Sequence, residues 1–446
     1  MGFVQSVVKR IRAKILLSEP GRVHISAARQ QELIIGRKGF WAELRAEGNL
    51  AAGQGTLVIF CVFRNTGNQD VHTMTCEKIL SGISICSGRR RGDRMKIEEK
   101  YMEAARRLHQ SSPVVDAHLD LAGELYFRVI NGEKNPLRTH YLNHLREAGF
   151  NLIVSSVYLR DDQLPEGGLR AALDQISVLQ EAVYQNEEFF LVRSAGDLNR
   201  VLSEDRIGIL LYMEGLDCIG TDLRLLRILR ELGVRGASLT WSRRNALANG
   251  CCKAGQRQQI PGGLSPEGKA AVEELERLSM FLDVSHLNDD GFADVCRIAK
   301  KPFIATHSNS QSVFFNYRNL SDGQMKELGS RGGMMGLNGC DLIVGCMEGE
   351  DPLEMLCRHV EHEASLIGID KVGLGLDFCD SYTEAEPKYP NGNTIEYHDC
   401  LGNHSQVPKL TAALLQRGME EEDVKKVIGG NWIRYFREVL TFPMAE

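Results

Sequence analysis

The sequence predicts an α/β protein built as a (β/α)8 barrel, and three observations carry the prediction. From Met95 onward, short apolar runs of strand length alternate with amphipathic stretches of helix length. There are eight such runs. Five of them end in, or close to, a residue able to bind a metal or move a proton, always at the same end of the run, which is where such barrels keep their chemistry.

The runs are VVDAHLD (114–120), NLIVSSVYL (151–159), IGILLYMEG (207–215) and RGASLTW (235–241), then MFLDVSH (280–286), PFIATHS (302–308), GGMMGLN (332–338) and KVGLGLDF (371–378). Between them LRAALDQISVLQEAVYQ, LRLLRILRELG, SPEGKAAVEELERLS and DPLEMLCRHVEHEASLIG read as helices. Ser265-Pro266-Glu267 supplies one of these with a cap and a first-turn proline. Residues 95–446 are therefore assigned to the barrel, and about 350 residues suits that fold with insertions. Met95-Lys96-Ile97-Glu98-Glu99-Lys100 is expected to open its first helix.

Residues 1–94 differ in texture and charge. They carry 15 Lys and Arg against 7 Asp and Glu, whereas the remainder carries 38 against 52. They show no sustained helical or strand period. A small accessory domain, a disordered arm and a stretch translated from an upstream start codon all fit them. The cluster Arg89-Arg90-Arg91-Gly92-Asp93-Arg94 reads as a solvated linker.

The net charge of −6 gives no reason to expect nucleic acid or an anionic membrane as partner. The most apolar early run, Leu57 to Phe63, is far too short to span a bilayer. No secretory signal is visible, and Met1-Gly2 with Ser6 is only a chance-level match to a myristoylation pattern. The 12 cysteines form no CxxC pair, which points to a reducing compartment, so a cytoplasmic location is expected.

The first run, Val114-Val115-Asp116-Ala117-His118-Leu119-Asp120, turns from apolar to acid, histidine and acid. Burying such groups costs several kcal/mol per unpaired charge, so cations are expected to compensate them. Period-two geometry sets His118 and Asp120 on one face, pointing into the barrel mouth. Glu214 ends the third run, His286 the fifth, His307 the sixth, and Asp377 lies at the end of the eighth. A lone histidine at a strand end is usually structural; the joint placement is what argues for metal. His140 with His144, and His359 with His362, lack the HExxH pattern and read as solvated helix faces. No GxxxxGK[ST] loop is present, and GLGLD (373–377) precedes no helix that would make it a dinucleotide site.

Imidazole and carboxylate ligands suit zinc, with iron and manganese also compatible. There are more ligands than one tetrahedral ion needs, so two ions bridged by Glu214 are expected. Such a pair lowers the pKa of a bridging water and polarises a carbonyl, while Asp377 carries the proton to a departing amine. The implied reaction is hydrolysis of an amide or related bond.

At these residues DAHLD, YMEG, DVSH, THSNS, NYRN, GLGLDF and the closing Gly429-Gly430-Asn431-Trp432 resemble the membrane dipeptidase (renal dipeptidase) family of the amidohydrolase superfamily. The likeness runs in order from Val114 to Phe436. It implies a binuclear zinc site, with His118, Asp120 and Glu214 on one ion and Glu214, His286 and His307 on the other. It also implies that Asp377 is the acid/base and that Arg318 of NYRN grips the substrate's free carboxylate, a role that suits a guanidinium fork. One position departs. Mammalian members have a histidine that polarises the scissile carbonyl, where this chain has Trp241 after Leu239-Thr240; indole donates one hydrogen bond but accepts none. Trp241 and the nearby Asn245 are therefore expected to line the substrate, with altered preference. The signal peptide and anchor of secreted relatives are not visible.

Three functions follow. The first is a zinc dipeptidase acting on a small peptide, compatible with a homodimer. The second keeps the site but changes the amide, to an N-acyl amino acid, an L-D dipeptide or a β-lactam-like ring. The third is a non-catalytic binding protein on the same scaffold, disfavoured by the intact ligand set and Asp377.

Overall fold

The computed structural model describes residues 95–252, 258–346, 350–387 and 397–441, together with the backbone of three strands nearer the N-terminus. Those three, β1 (Phe40–Glu47), β2 (Val58–Asn65) and β3 (His72–Thr75), form an antiparallel sheet in order β1-β2-β3. They belong to a unit ending at Arg90, separate from the unit that begins at Arg91. The sequence shows no strand period there; the other readings of residues 1–94 lie outside the described residues.

In the second unit the apolar runs become parallel strands. β4 (Val114–Leu119), β5 (Phe150–Tyr158), β7 (Ile207–Glu214), β8 (Val234–Ser238) and β9 (Phe281–Asp283) pair in that order. A short extra strand, β6 (Phe189–Leu191), joins residues 207–209 of β7, ahead of the point where β8 begins to pair. The sixth run contributes single parallel bridges, Asp283 to Ile304 and Ala305 to Met335. β10 (Met335–Leu337) and β11 (Val372–Leu374) follow as a parallel pair. The ring closes where the Asp377 N–H donates to the His118 carbonyl (3.1 Å) and the Leu376 N–H to Asp116 Oδ1 (2.8 Å). The architecture is the expected (β/α)8 barrel.

Helices at Gly168–Tyr184, Arg224–Glu231, Pro266–Arg277 and Pro352–Ile367 occupy the predicted stretches. Ser265 Oγ caps its helix by accepting from the Gly268 N–H at 2.9 Å. The first helix starts at Glu99 rather than Met95. Residues 95–98 lie outside it, with Glu98 extended: the Met95 N–H donates to Asp351, and the Glu98 N–H donates to Gln416 Oε1 at 2.8 Å.

The glycines of the last two strands have a steric cause. A Cβ on Gly336 or Gly375 would lie 1.9 or 1.7 Å from the Thr306 carbonyl oxygen, so the backbones can close here only without side chains. The GGNW motif latches the last strand from outside. Trp432 is fully buried and its indole N–H donates to the Leu374 carbonyl (2.8 Å), while Asn431 Nδ2 donates to the carbonyls of Ile369 and Val372.

Candidate metal centre

The C-terminal ends of the strands bring His118, Asp120, Glu214, His286, His307 and Asp377 together. Glu214 sits at the centre: its Oε1 lies 2.8 Å from His286 Nε2, 3.3 Å from His307 Nε2 and 3.7 Å from His118 Nε2. His118 Nε2 also faces Asp120 Oδ1 at 3.9 Å and Asp377 Oδ1 at 3.6 Å. Two overlapping sets of donor atoms, both using His118, are compact enough to hold an ion, His118-Glu214-His307 and His118-Asp120-Asp377. His286 joins the first through Glu214 and through His307, whose Nε2 is 2.9 Å from its own.

Each imidazole is oriented through its other nitrogen. His118 Nδ1 shares a hydrogen bond with Tyr212 Oη (2.9 Å), His286 Nδ1 with Ser242 Oγ (2.8 Å) and His307 Nδ1 with Thr306 Oγ1 (2.7 Å). Thr306 in turn donates to Asp283 Oδ2 (2.7 Å). Orientation by a second partner fixes the ring and aims the remaining nitrogen, as in metal-binding histidines generally. Ser156 donates to Asp120, and Asn338 Nδ2 donates to Asp377 Oδ2 at 2.8 Å. The alternation of the strands does not reveal these partners, because all but Thr306 come from a different segment than the residue they hold.

The electrostatics suit cations. Burial, reinforced by the Arg318 cation, holds all three histidines well below the usual imidazole range, which favours the neutral form with a lone pair to give. Burial together with Asp120 and Asp377 pushes Glu214 well above the carboxylate range. Asp120 is pushed up to about 6 and Asp377 to about 8, with burial again the main cause. His118 Nε2 is buried and has no hydrogen-bond partner although three carboxylates face it. A buried nitrogen lone pair ringed by acids is the donor chemistry of a metal site, and the residues present fit one.

Asp377 has φ +52°, in the left-handed region that aspartate tolerates better than most residues. Together with its N–H bond to the His118 carbonyl, this fixes the acid against the ligand strand.

Arg318 is buried and braces the ligand loops. It donates to the Ser285 carbonyl, to the His307 carbonyl (3.1 Å) and to Ser308 Oγ (3.3 Å). Three of its five N–H donors are used in this way. Trp241 stacks on His286 with ring centroids 5.7 Å apart, and Tyr158 and Arg243 pack against the same indole. It forms an aromatic wall beside a ligand.

Asn245 differs from the sequence expectation. Its Nδ2 donates to the Leu239 carbonyl (2.8 Å), and its Oδ1 accepts from the N–H groups of Leu247 and Ala248. The side chain clamps its own loop, because a short amide two residues before a turn satisfies local backbone groups first. Asp116 also differs, having no need of a cation. It accepts from the N–H groups of His118 and Leu376 and pairs with the buried His404 at 2.9 Å. His359 is fully buried rather than solvated, taking the Ser310 N–H on Nδ1 and bonding the Val344 carbonyl through Nε2.

Residues 102–444 match the sequence profile of membrane dipeptidase, peptidase family M19. Dipeptidase tcpJ of Claviceps purpurea is 29% identical over 283 residues, which cover 62% of this chain and 62% of that protein. Dipeptidase 3 of Rattus norvegicus is 28% identical over 356 residues, 77% of this chain and 68% of that protein. The chain thus spans just under two thirds of the fungal relative's length and just over two thirds of the rat one's. A solved metallopeptidase from Rhodobacter sphaeroides, liganded with a phosphinate mimic of the dipeptide L-Ala-D-Ala, is 26% identical with a TM-score of 0.63, covering 74% of this chain and 98% of that one. Fold, donor set and sequence agree: the chain belongs to the membrane dipeptidase family, peptidase family M19, a family of metallo-dipeptidase hydrolases.

Proposed function

We propose that this protein hydrolyses dipeptides to free amino acids with two zinc ions bridged by Glu214. His118 and Asp120 would complete one site, and His286 and His307 the other. The observation that carries the reading is the buried, unpartnered His118 Nε2 facing Asp120, Glu214 and Asp377. Bound there, the ions would supply Lewis-acid polarisation of the scissile carbonyl and acidify the attacking water.

The chain's own groups would do the rest. Asp377, held through Oδ2 by Asn338, keeps Oδ1 toward the centre to take a proton from the water and return it to the leaving amine nitrogen. Arg318 has Nε and one Nη2 hydrogen beyond its three bonds to the loops, enough to receive a carboxylate. Trp241 gives the pocket an aromatic wall in place of a proton acceptor, which favours apolar contact over carbonyl polarisation at that side. The ligand of the Rhodobacter structure supports including a D-configured C-terminal residue in the substrate range. Among the described residues no helix is long and apolar enough to cross a membrane.

The substrate class is tested through Arg318. Arg318→Ala should lower kcat/KM for a free dipeptide on the order of a hundredfold, the loss expected for a buried charged hydrogen bond. The corresponding dipeptide amide should lose much less. Equal losses for acid and amide would mean that Arg318 only braces the loops.

A further inference from the structure

The fold gathers four cysteines that the sequence leaves scattered. Cys340 and Cys346 lie after β10, and Cys379 and Cys400 after β11, on the loops at the barrel mouth. Cys346 Sγ and Cys400 Sγ are 3.3 Å apart, and both residues are half-buried. Among the described residues each thiol has the other as its hydrogen-bond partner. The two segments are also zipped by backbone. The Cys400 N–H donates to the Gly339 carbonyl (2.9 Å), the Asp341 N–H donates to the His398 carbonyl (2.9 Å), and Cys340 bridges Asp399 in antiparallel fashion. The pair is therefore held in register rather than brought together by chance rotamers.

A disulfide needs sulfurs about 2.05 Å apart, so the thiols have to close by little more than an ångström. Thiols reachable from solvent are the ones that exchange. Cys340 and Cys379 also hydrogen-bond each other, but Cys340 is buried away from solvent, and Cys379 Sγ donates to Asp399 Oδ1 at 3.4 Å.

We propose that Cys346 and Cys400 are an oxidisable dithiol that becomes a reversible disulfide by exchange with a small-molecule disulfide such as oxidised glutathione. The Cys346 thiolate attacks one sulfur of the oxidant, forming a mixed disulfide and releasing one glutathione thiol. The Cys400 thiolate then attacks the Cys346 sulfur and releases the second. The two protein thiols give up two hydrogens, and the oxidant is reduced to two thiols. Attack by Cys400 first, followed by Cys346, gives the same disulfide and the same two released thiols.

The bond would staple together the two loops that flank Asp377. One carries Asn338, which holds Asp377. The other carries Asp399, which accepts the Cys379 N–H (2.8 Å) two residues beyond that acid.

The test uses the full-length, metal-loaded protein, exposed to oxidised glutathione, alkylated, digested and mapped by mass spectrometry. The expected product is one cross-linked peptide pair, Cys346 with Cys400, two hydrogens lighter than the reduced peptides and lost on treatment with dithiothreitol. In Cys400→Ser the cross-link should vanish and Cys346 should retain glutathione, because the resolving thiol is gone. Both residues still alkylated while other cysteines are oxidised would overturn the proposal. So would a cross-link from Cys346 to any other cysteine.

Discussion

Glu214→Gln is expected to abolish dipeptide hydrolysis and empty both metal sites while leaving the protein folded. The three histidine nitrogens converge on one oxygen of Glu214, at 2.8, 3.3 and 3.7 Å, which is the placement the proposed bridging role requires. Glutamine keeps the shape but removes the charge, and half of its amide presents N–H groups toward cations. Lewis-acid assistance is worth several kcal/mol, so its loss should cost on the order of 10³-fold or more in kcat. Stability should move the other way. Burial and the neighbouring Asp120 and Asp377 already disfavour the Glu214 charge, so its removal relieves repulsion in the metal-free protein. The check is kcat, elemental analysis and a thermal midpoint in chelator, all on one preparation. A variant with full metal and near-normal rate would contradict the bridging role; a midpoint well below wild type in chelator would contradict the charge argument.

Asp377→Asn should separate proton transfer from metal binding. Asparagine has the same shape and tolerates the left-handed backbone (φ +52°), so the closure to His118 should persist. It cannot take up a proton at neutral pH. General acid–base assistance is typically worth about 10²–10⁴-fold, and kcat should fall by that factor. KM should move only a few-fold, since contacts through Arg318 and the ligand residues survive. Asn338 can still satisfy the new side chain, because the amide presents an oxygen as acceptor. Steady-state kinetics with metal content measured on the same sample decides it. Full metal with an unchanged kcat would route the proton elsewhere.

Much of the fold was legible because a parallel barrel writes its strands as bounded apolar runs, and each of the eight runs lies where β-pairing occurs. The sixth was the weakest in the structure for a local reason. The Thr306 N–H donates to Asp283 Oδ1 (3.0 Å) instead of a strand carbonyl, so regular pairing stops after the bridges at Ile304 and Ala305. The charged strand ends were legible as a group for the same reason that they are costly to bury.

What the pattern could not give was the depth of each residue. Asp116, His118 and Asp120 share a face by alternation, yet Asp116 sits a layer below and seals the ring with Leu376 and His404, a partner 288 residues away. The hydroxyls and amides that aim the histidines, Tyr212, Ser242 and Thr306, look in sequence like ordinary strand and loop residues. Asn245 lies close to Trp241 along the chain, yet its amide closes its own loop, which closeness in sequence does not reveal.

The central claim is a two-ion centre that hydrolyses dipeptides, and the most direct measurement is a zinc titration of chelator-treated protein assayed with L-L and L-D dipeptides. The account predicts no hydrolysis before metal is added, full activity at two equivalents per chain, and no further rise beyond them. Hydrolysis by the metal-free protein, or an end point at one ion per chain, would contradict it.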